Sequence, residues 1–301
     1  MTLAEVFPEA DYRFHLRFER GSCSEFFRPT SQLEELLAQR RHWLQTAPQS
    51  YAALLPDGIP LLEETLDLAL AEQTLPPGFC FEQSISPAIH QSSPSDSPSH
   101  PSTDPKIHQP SLPASWRRCL ELGTAWEPDF LLLKPDAMDQ ILLVGGCVCF
   151  PSSWSLAEKI GRPMDVIHGV VPGLNAAIGN QIQGFLKKLR PGLAWLRANW
   201  GLSRSPELNQ HPERKLPRLD STVRLGEIWL RIEHQLLTAL PRTQAVLFAI
   251  RIAMHPLAEI QRDSLIAPRL SRALQTMPDA MAEYKGIARA RAKVISLLRG
   301  A

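Results

Sequence analysis

Alternation of apolar and polar positions is clearest over residues 225–256, and the rest of the chain is read around it. Over residues 226–235 a period of two sets Trp229, Arg231 and Glu233 on one face and Leu230 and Ile232 on the other. Residues 245–254 are apolar almost throughout, as in a strand covered on both sides, with Arg251 as the exception. The two runs predict a pair of strands joined by a short connection. An isolated charge in such a strand is expensive unless it is paired. Arg231, Glu233 and Arg251 therefore need partners: one another, in a structural ion pair, or an anionic ligand.

Upstream the pattern changes period. Residues 12–18 alternate as a short strand does. Thr30 precedes acidic residues, with Leu33, Leu36, Leu37 and Trp43 at helical spacing, and predicts a capped helix. Residues 51–75 form a second helical region, and both helices read as cover for a sheet. Residues 84–115 differ in kind: ten Ser and seven Pro stand among 32 residues with almost nothing apolar, a composition that predicts disorder. The chain thus divides into residues 1–83, an N-terminal helical part of the same unit; an insertion at 84–115; and a core at 116–301.

In that core, residues 130–134 and 140–150 predict a hairpin of buried strands with its turn at 135–139. A short helix follows Pro151 and closes at Gly161 and Pro163. Residues 175–190 predict a helix with Ile178, Ile182, Phe185, Leu186 and Leu189 on one face. Residues 194–200 read as a strand in which Arg197 and Asn199 share a side. Two helices close the chain, near 257–275 and from 278 to 299.

Composition narrows the function. Of 301 residues 44% are hydrophobic and 21% charged, an ordinary globular balance, and the net charge of +1 points to neither nucleic acid nor an anionic membrane as partner. No apolar run has the length of a bilayer span and no signal-peptide pattern opens the chain, so the expected location is cytoplasmic. The five cysteines are odd in number and scattered, which argues against a disulfide framework and against an iron–sulfur cluster held by this chain. Cys147 and Cys149 lack a second close pair to complete a metal site and read as buried strand residues. His90, His100 and His108 fall in the insertion, and His15 reads as a half-exposed strand residue.

His168 stands apart among the histidines. It lies between Val166-Ile167 and Gly169-Val170-Val171, a nearly apolar setting where each ring nitrogen needs a partner. Two readings stand at this point: a hydrogen-bonded core histidine, or an axial ligand to haem iron with aliphatic neighbours packing the porphyrin. Arg197, Asn199 and Trp200 are either polar residues on a sheet face or the polar wall of a pocket.

Several ordered motifs then line up with one family. VCFPSSWSLAEKIGRP at 148–163, IH at 167–168, VPG at 171–173, RANW at 197–200, LRIE at 230–233, LP at 240–241, VLFAIR at 246–251, MP at 277–278 and YKG at 284–286 resemble the alpha subunit of haem-dependent oxidative N-demethylase. The resemblance covers residues 129–299, fits the N-terminal helices more loosely, and does not include the insertion. It implies an α+β, PAS-like antiparallel sheet flanked by helices and holding haem b. It also implies NADPH-dependent oxidation of a small secondary amine such as dimethylamine by oxygen. Electrons would come from a partner reductase carrying FMN and an iron–sulfur cluster, with tetrahydrofolate taking up the one-carbon fragment. By the same resemblance His168 is the axial ligand and Glu233 holds the substrate, with Arg231 or Arg251 facing oxygen or a haem propionate. Arg197, Asn199 and Trp200 are further cofactor-pocket residues. The sequence departs from the family at Ile252 and Ala253, where a polar and an aromatic residue are expected. A haem-binding PAS-like sensor without turnover is the alternative function.

Overall fold

A computed structural model describes residues 1–14, 17–76, 79 and 113–300. His15, His90, His100 and His108 lie outside them, as does nearly all of the Ser/Pro-rich stretch. Seven strands form one sheet in the order β1-β5-β6-β7-β3-β4-β2. They are β1 (Glu19–Gly21), β2 (Ala52–Leu54), β3 (Asp129–Pro135), β4 (Ile141–Cys147), β5 (Ala194–Ser203), β6 (Trp229–Ala239) and β7 (Val246–Pro256). Every neighbouring pair is antiparallel. The fold is α+β, an open antiparallel sheet flanked by helices, as a PAS-like architecture requires.

The predicted pair of strands is the β6–β7 hairpin, registered from Trp229 opposite Pro256 to Ala239 opposite Val246. Register assigns the faces. Leu230, Ile232, His234 and Leu236 share one side with Ala249, Arg251 and Ala253; Arg231, Glu233, Gln235 and Leu237 share the other with Phe248, Ile250 and Ile252.

Helices cover both sides. On the Leu230 side, α1 (Leu3–Val6), α9 (Leu257–Arg262), α10 (Ile266–Thr276) and α12 (Arg291–Leu298) bury Val6, Leu257, Leu270 and Val294 against Leu230 and Ile232. Further along that side, α2 (Cys23–Phe27), α3 (Leu33–Thr46), α5 (Ile59–Ala71) and α6 (Ala114–Ala125) pack on Phe130, Leu132, Leu236 and Ala249. A short α4 (Pro48–Tyr51) leads from α3 into β2. The opposite side is covered by α7 (Met164–Gly169) and by α8 (Asn180–Lys188), which a π-turn at Asn175–Gly179 precedes. Ile178, Ile182 and Leu186 meet Leu131, Leu133, Leu237 and Ile250 there.

Several local expectations are corrected. Thr30 does not cap α3: its hydroxyl donates to Glu127 and the helix starts at Leu33 after Gln32. Residues 12–14 and 17–18 are irregular, and the strand begins only at Glu19. Residues 51–75 are split, because Ala52–Leu54 pairs with β4 before α5 begins at Ile59. The helix expected after Pro151 is a single turn bonded Ile160 N to Leu156 O. His168, read without an element, lies in α7. The two C-terminal helices are four. Asp263 interrupts the first by capping the amides of Leu265 and Ile266, and Gly286 at φ +66° separates α11 (Asp279–Tyr284) from α12.

A buried ion pair unseen in the sequence anchors the edge of the site. Arg40 on α3 and Asp129 on β3 are 0% and 1% exposed and lie 2.6 Å apart. Asp129 also accepts from the amides of Cys149 at 2.7 Å and Phe150 at 3.0 Å. The chain leaving β4 is thereby pinned across the end of the sheet. Cys147 and Cys149 are fully buried beside it, with their sulfurs 3.9 Å apart.

Candidate functional site

The β5–β6 register builds the polar side of the site. Arg197 faces Gln235, Asn199 faces Glu233 and Gly201 faces Arg231. The Glu233 carboxylate accepts from Ser152 Oγ at 2.5 Å, Gln235 Nε2 at 2.9 Å and Asn199 Nδ2 at 3.3 Å. A carboxylate offers about four acceptor sites, so one stays free for a further donor. Arg231, 3% exposed, sends Nε to Ser152 Oγ at 2.7 Å and its terminal nitrogens to the carbonyls of Leu208 at 2.8 Å and Phe150 at 2.6 Å. Because Nε fills an Oγ lone pair, the Ser152 proton is directed at Glu233. Burial lowers Arg231 to about 10 against the opposing pull of Glu233 and Asp129, so it stays charged at neutral pH. Its donors are spent on the chain itself, which makes it the clamp that holds Ser152 under Glu233.

Over the same face runs α7, which carries His168. The imidazole is half-buried and has no side-chain hydrogen bond to any described residue. Burial, then the charges of Arg197 and Lys159, lower it to about 4, so the ring is neutral, the form that ligates a metal. Around it Ile167, Leu174, Phe185, Trp195, Phe248 and Ile252 form an apolar surface, all of them partly rather than fully covered. Phe248 and Ile252 lie on β7 on this face, and the described residues cover them only in part.

Arg197 projects from β5 on this face. It is half-buried and has no hydrogen bond or ion pair among the described residues; its guanidinium lies 6.0 Å from the Phe18 ring centroid. Burial lowers its pKa while Glu233 supports the charge. An imidazole that is neutral and without a hydrogen-bond partner among the described residues, an apolar surface that those residues cover only in part, and a guanidinium without an acceptor among them fit a haem with its iron, apolar ring and carboxylates. His168 would hold the iron.

Two expected site residues stand elsewhere. Arg251 lies opposite His234, one register position from Glu233 and hence on the other face. It pairs with Glu127 at 3.1 Å, donates to Arg28 O at 2.9 Å and lies over the Phe26 ring. Trp200 is opposite Ile232 and packs against Phe7 with ring centroids 5.2 Å apart. A cavity of about 930 Å³ is lined by Phe26, Trp43, His234, Arg251 and Ala253 of this second face and also by Arg197, Gln235 and Ile252. The structure brings together Arg197, Asn199, Arg231 and Glu233 with His168 above them, and separates Arg251 and Trp200 from that group.

Sequence reading missed Ser152, Gln235 and Lys285. Ser152 and Lys285 sit in matched motifs but carry no pattern of their own. Gln235 was legible, since it continues the alternation of Arg231 and Glu233. Lys285 follows α11, donates to Trp200 O at 2.6 Å and approaches Asn199 Oδ1 at 3.5 Å.

The fold is that of a PAS-like α+β protein, and one face of its sheet gathers a fixed carboxylate, cationic side chains and a neutral imidazole as a candidate ligand site. The chain belongs to the family haem-dependent oxidative N-demethylase, alpha subunit-like, whose sequence model matches residues 19–295. Haem dependence and oxidative demethylation are what that family's name states, and the name places its members as one subunit of a larger enzyme. Among the described residues no helix is long and apolar enough to cross a membrane.

Proposed function

We propose that this chain is the haem-binding, oxygen-activating subunit of an oxidative N-demethylase acting on a small secondary amine such as dimethylamine. The observation that carries the reading is Glu233, a carboxylate fixed by three donors with one acceptor site unspent, on the face over which α7 carries the unbonded His168. A bound haem b supplies the iron chemistry by which oxygen takes electrons and an N-methyl group is oxidised. His168 holds it. Glu233 accepts an N–H of the alkylammonium in a charge-assisted hydrogen bond, so that the nitrogen is held in one place. Ser152, clamped by Arg231, keeps the carboxylate from turning. Ile252, opposite Glu233 in the ladder, gives the methyl groups an apolar wall.

The electrons are assigned to NADPH through a partner reductase carrying FMN and an iron–sulfur cluster, with tetrahydrofolate accepting the released formaldehyde unit. The scattered cysteines of this chain support placing the cluster on the partner. Residues 1–83 and 116–301 are assigned to one unit. Since β1 and β2 extend the sheet from the N-terminal part, that assignment has a structural basis.

Purified full-length protein loaded with haem tests the reading. The expected result is a Soret band that shifts on titration with dimethylamine, amine-dependent NADPH oxidation once the reductase is added, and loss of the shift in Glu233→Gln. His168→Ala is expected to lose haem. A Soret band indifferent to amines, without amine-dependent NADPH use, would replace the enzyme with a haem-binding sensor; haem retained by His168→Ala would overturn the ligand.

A further inference from the structure

Charge on the ligand face does not balance. Arg197, Arg231 and Lys285 surround the carboxylate of Glu233, and each electrostatically senses it. Arg231 is fully bonded to the chain. Arg197 has no acceptor among the described residues, and Lys285 has only a backbone carbonyl and an amide oxygen. Neither makes an ion pair with a described residue. Both are largely withdrawn from solvent, and burial pushes Lys285 down to about 8. Three cations share the single carboxylate of Glu233, and that excess of partly desolvated positive charge is a standing cost which a dianionic ligand would relieve.

Their placement agrees with this. Among the described residues, β5 has no strand partner on its outer edge beyond Leu196, since β1 pairs with Ala194, Trp195 and Leu196. Lys285 sits along that open edge, taking the outward carbonyl of Trp200. Arg197 points from the same strand toward the face that α7 covers. Met281 and Ala282, in the turn of α11 before Lys285, pack with Val171, three residues after His168. The cations therefore lie at the β5 rim of the face that α7 covers, and the apolar residues Phe248 and Ile252 lie two strands further into the sheet, on β7.

We propose that Lys285 and Arg197 receive the two carboxylates of the haem whose iron His168 holds, fixing which edge of the ring faces the β5 rim. This inference rests on the proposed haem site and adds Lys285 to it. It also explains how one carboxylate among three cations binds an ammonium. With Arg197 and Lys285 neutralised by the ligand, the charge left near the substrate is Glu233 and its clamped partner Arg231.

The test compares ferric haem with its dimethyl ester, which has the same ring and iron but no free carboxylates, each titrated into full-length protein and followed in the Soret band. The parent is expected to bind haem at least roughly tenfold tighter than the ester, the scale of a charge-assisted hydrogen bond. Lys285→Gln and Arg197→Gln are expected to shrink that ratio while leaving ester affinity unchanged, and Lys285→Arg to restore it. Circular dichroism on each variant shows that the fold is intact, and if Lys285→Gln does not fold, Lys285→Arg and Arg197→Gln carry the test. A ratio in the folded Lys285→Gln and Arg197→Gln variants equal to that of the parent overturns the inference and leaves the haem site standing. If neither porphyrin gives a His168-dependent band in the parent, the haem site itself fails and takes the inference with it.

Discussion

Ser152 illustrates how the site is assembled one residue at a time. Its hydroxyl links Arg231 and Glu233, accepting from one and donating to the other. Ser152→Ala leaves a buried guanidinium nitrogen and a carboxylate oxygen each short of a partner. The expected loss is about 1–3 kcal/mol of unfolding free energy by urea denaturation, with a higher KM for the amine. Lys285 gives a pH signature of its own. Its ammonium releases its proton near 8 in the fold against 10.5 ordinarily, chiefly because it is desolvated, so between those values the unfolded chain binds more protons. Stability of the haem-free protein is therefore expected to rise across that window relative to Lys285→Met, and the advantage to vanish as pH falls through about 8. Urea midpoints of the two proteins compared at each end of the window check it. The motif residues around His168 were legible as an apolar stretch with one imidazole. That its ring finds no hydrogen-bond partner among the described residues was not, because partners come from elements distant in sequence.

At the level of elements, the link from α3 to the site runs through Asp129. This carboxylate ties Arg40 to the amides of Cys149 and Phe150, and Phe150 in turn offers its carbonyl to Arg231. Asp129→Asn removes the partner of a buried guanidinium and is expected to cost about 3–5 kcal/mol, measured by denaturant unfolding. Reduced amine affinity should accompany it, since the Phe150–Ser152 segment loses its anchor. On β4, Gly146 stands at φ +152°, and a Cβ there would meet Phe130 O at 2.4 Å. The longer strands were legible, β6 from alternation and β3, β4 and β7 as apolar runs, and so was the side shared by Arg197 and Asn199, whereas the three-residue strands β1 and β2 were not. The grouping of Arg251 with Glu233 was not, because it depends on the β6–β7 register: a shift of one residue between strands exchanges the faces, and period two within one strand carries no information about its neighbour. The C-terminal helices were read as two because their apolar spacing persists through Asp263 and Gly286, where local capping and a left-handed glycine stop them.

For the whole molecule, the N-terminal part is a component of the sheet. β2 pairs with β4 and β1 with β5, and α3 and α6 bury Trp126, Phe130 and Cys147. A chain reduced to residues 116–301 therefore exposes two sheet edges and an apolar face. It is expected to be aggregated or unfolded by circular dichroism and size-exclusion chromatography, whereas the full chain is not. The sequence by itself determined the class of fold, the hairpin at its centre, the histidine in an apolar setting and the family, since each is written in local periodicity or in a contiguous motif. Only the tertiary structure decided that Arg251 serves Glu127 on the far face, that Ser152 and Gln235 hold Glu233, and that Arg197 and Lys285 share that carboxylate without an ion pair to any described residue. Charge compensation is a property of distance and burial between side chains that the chain brings together only when its strands are in register.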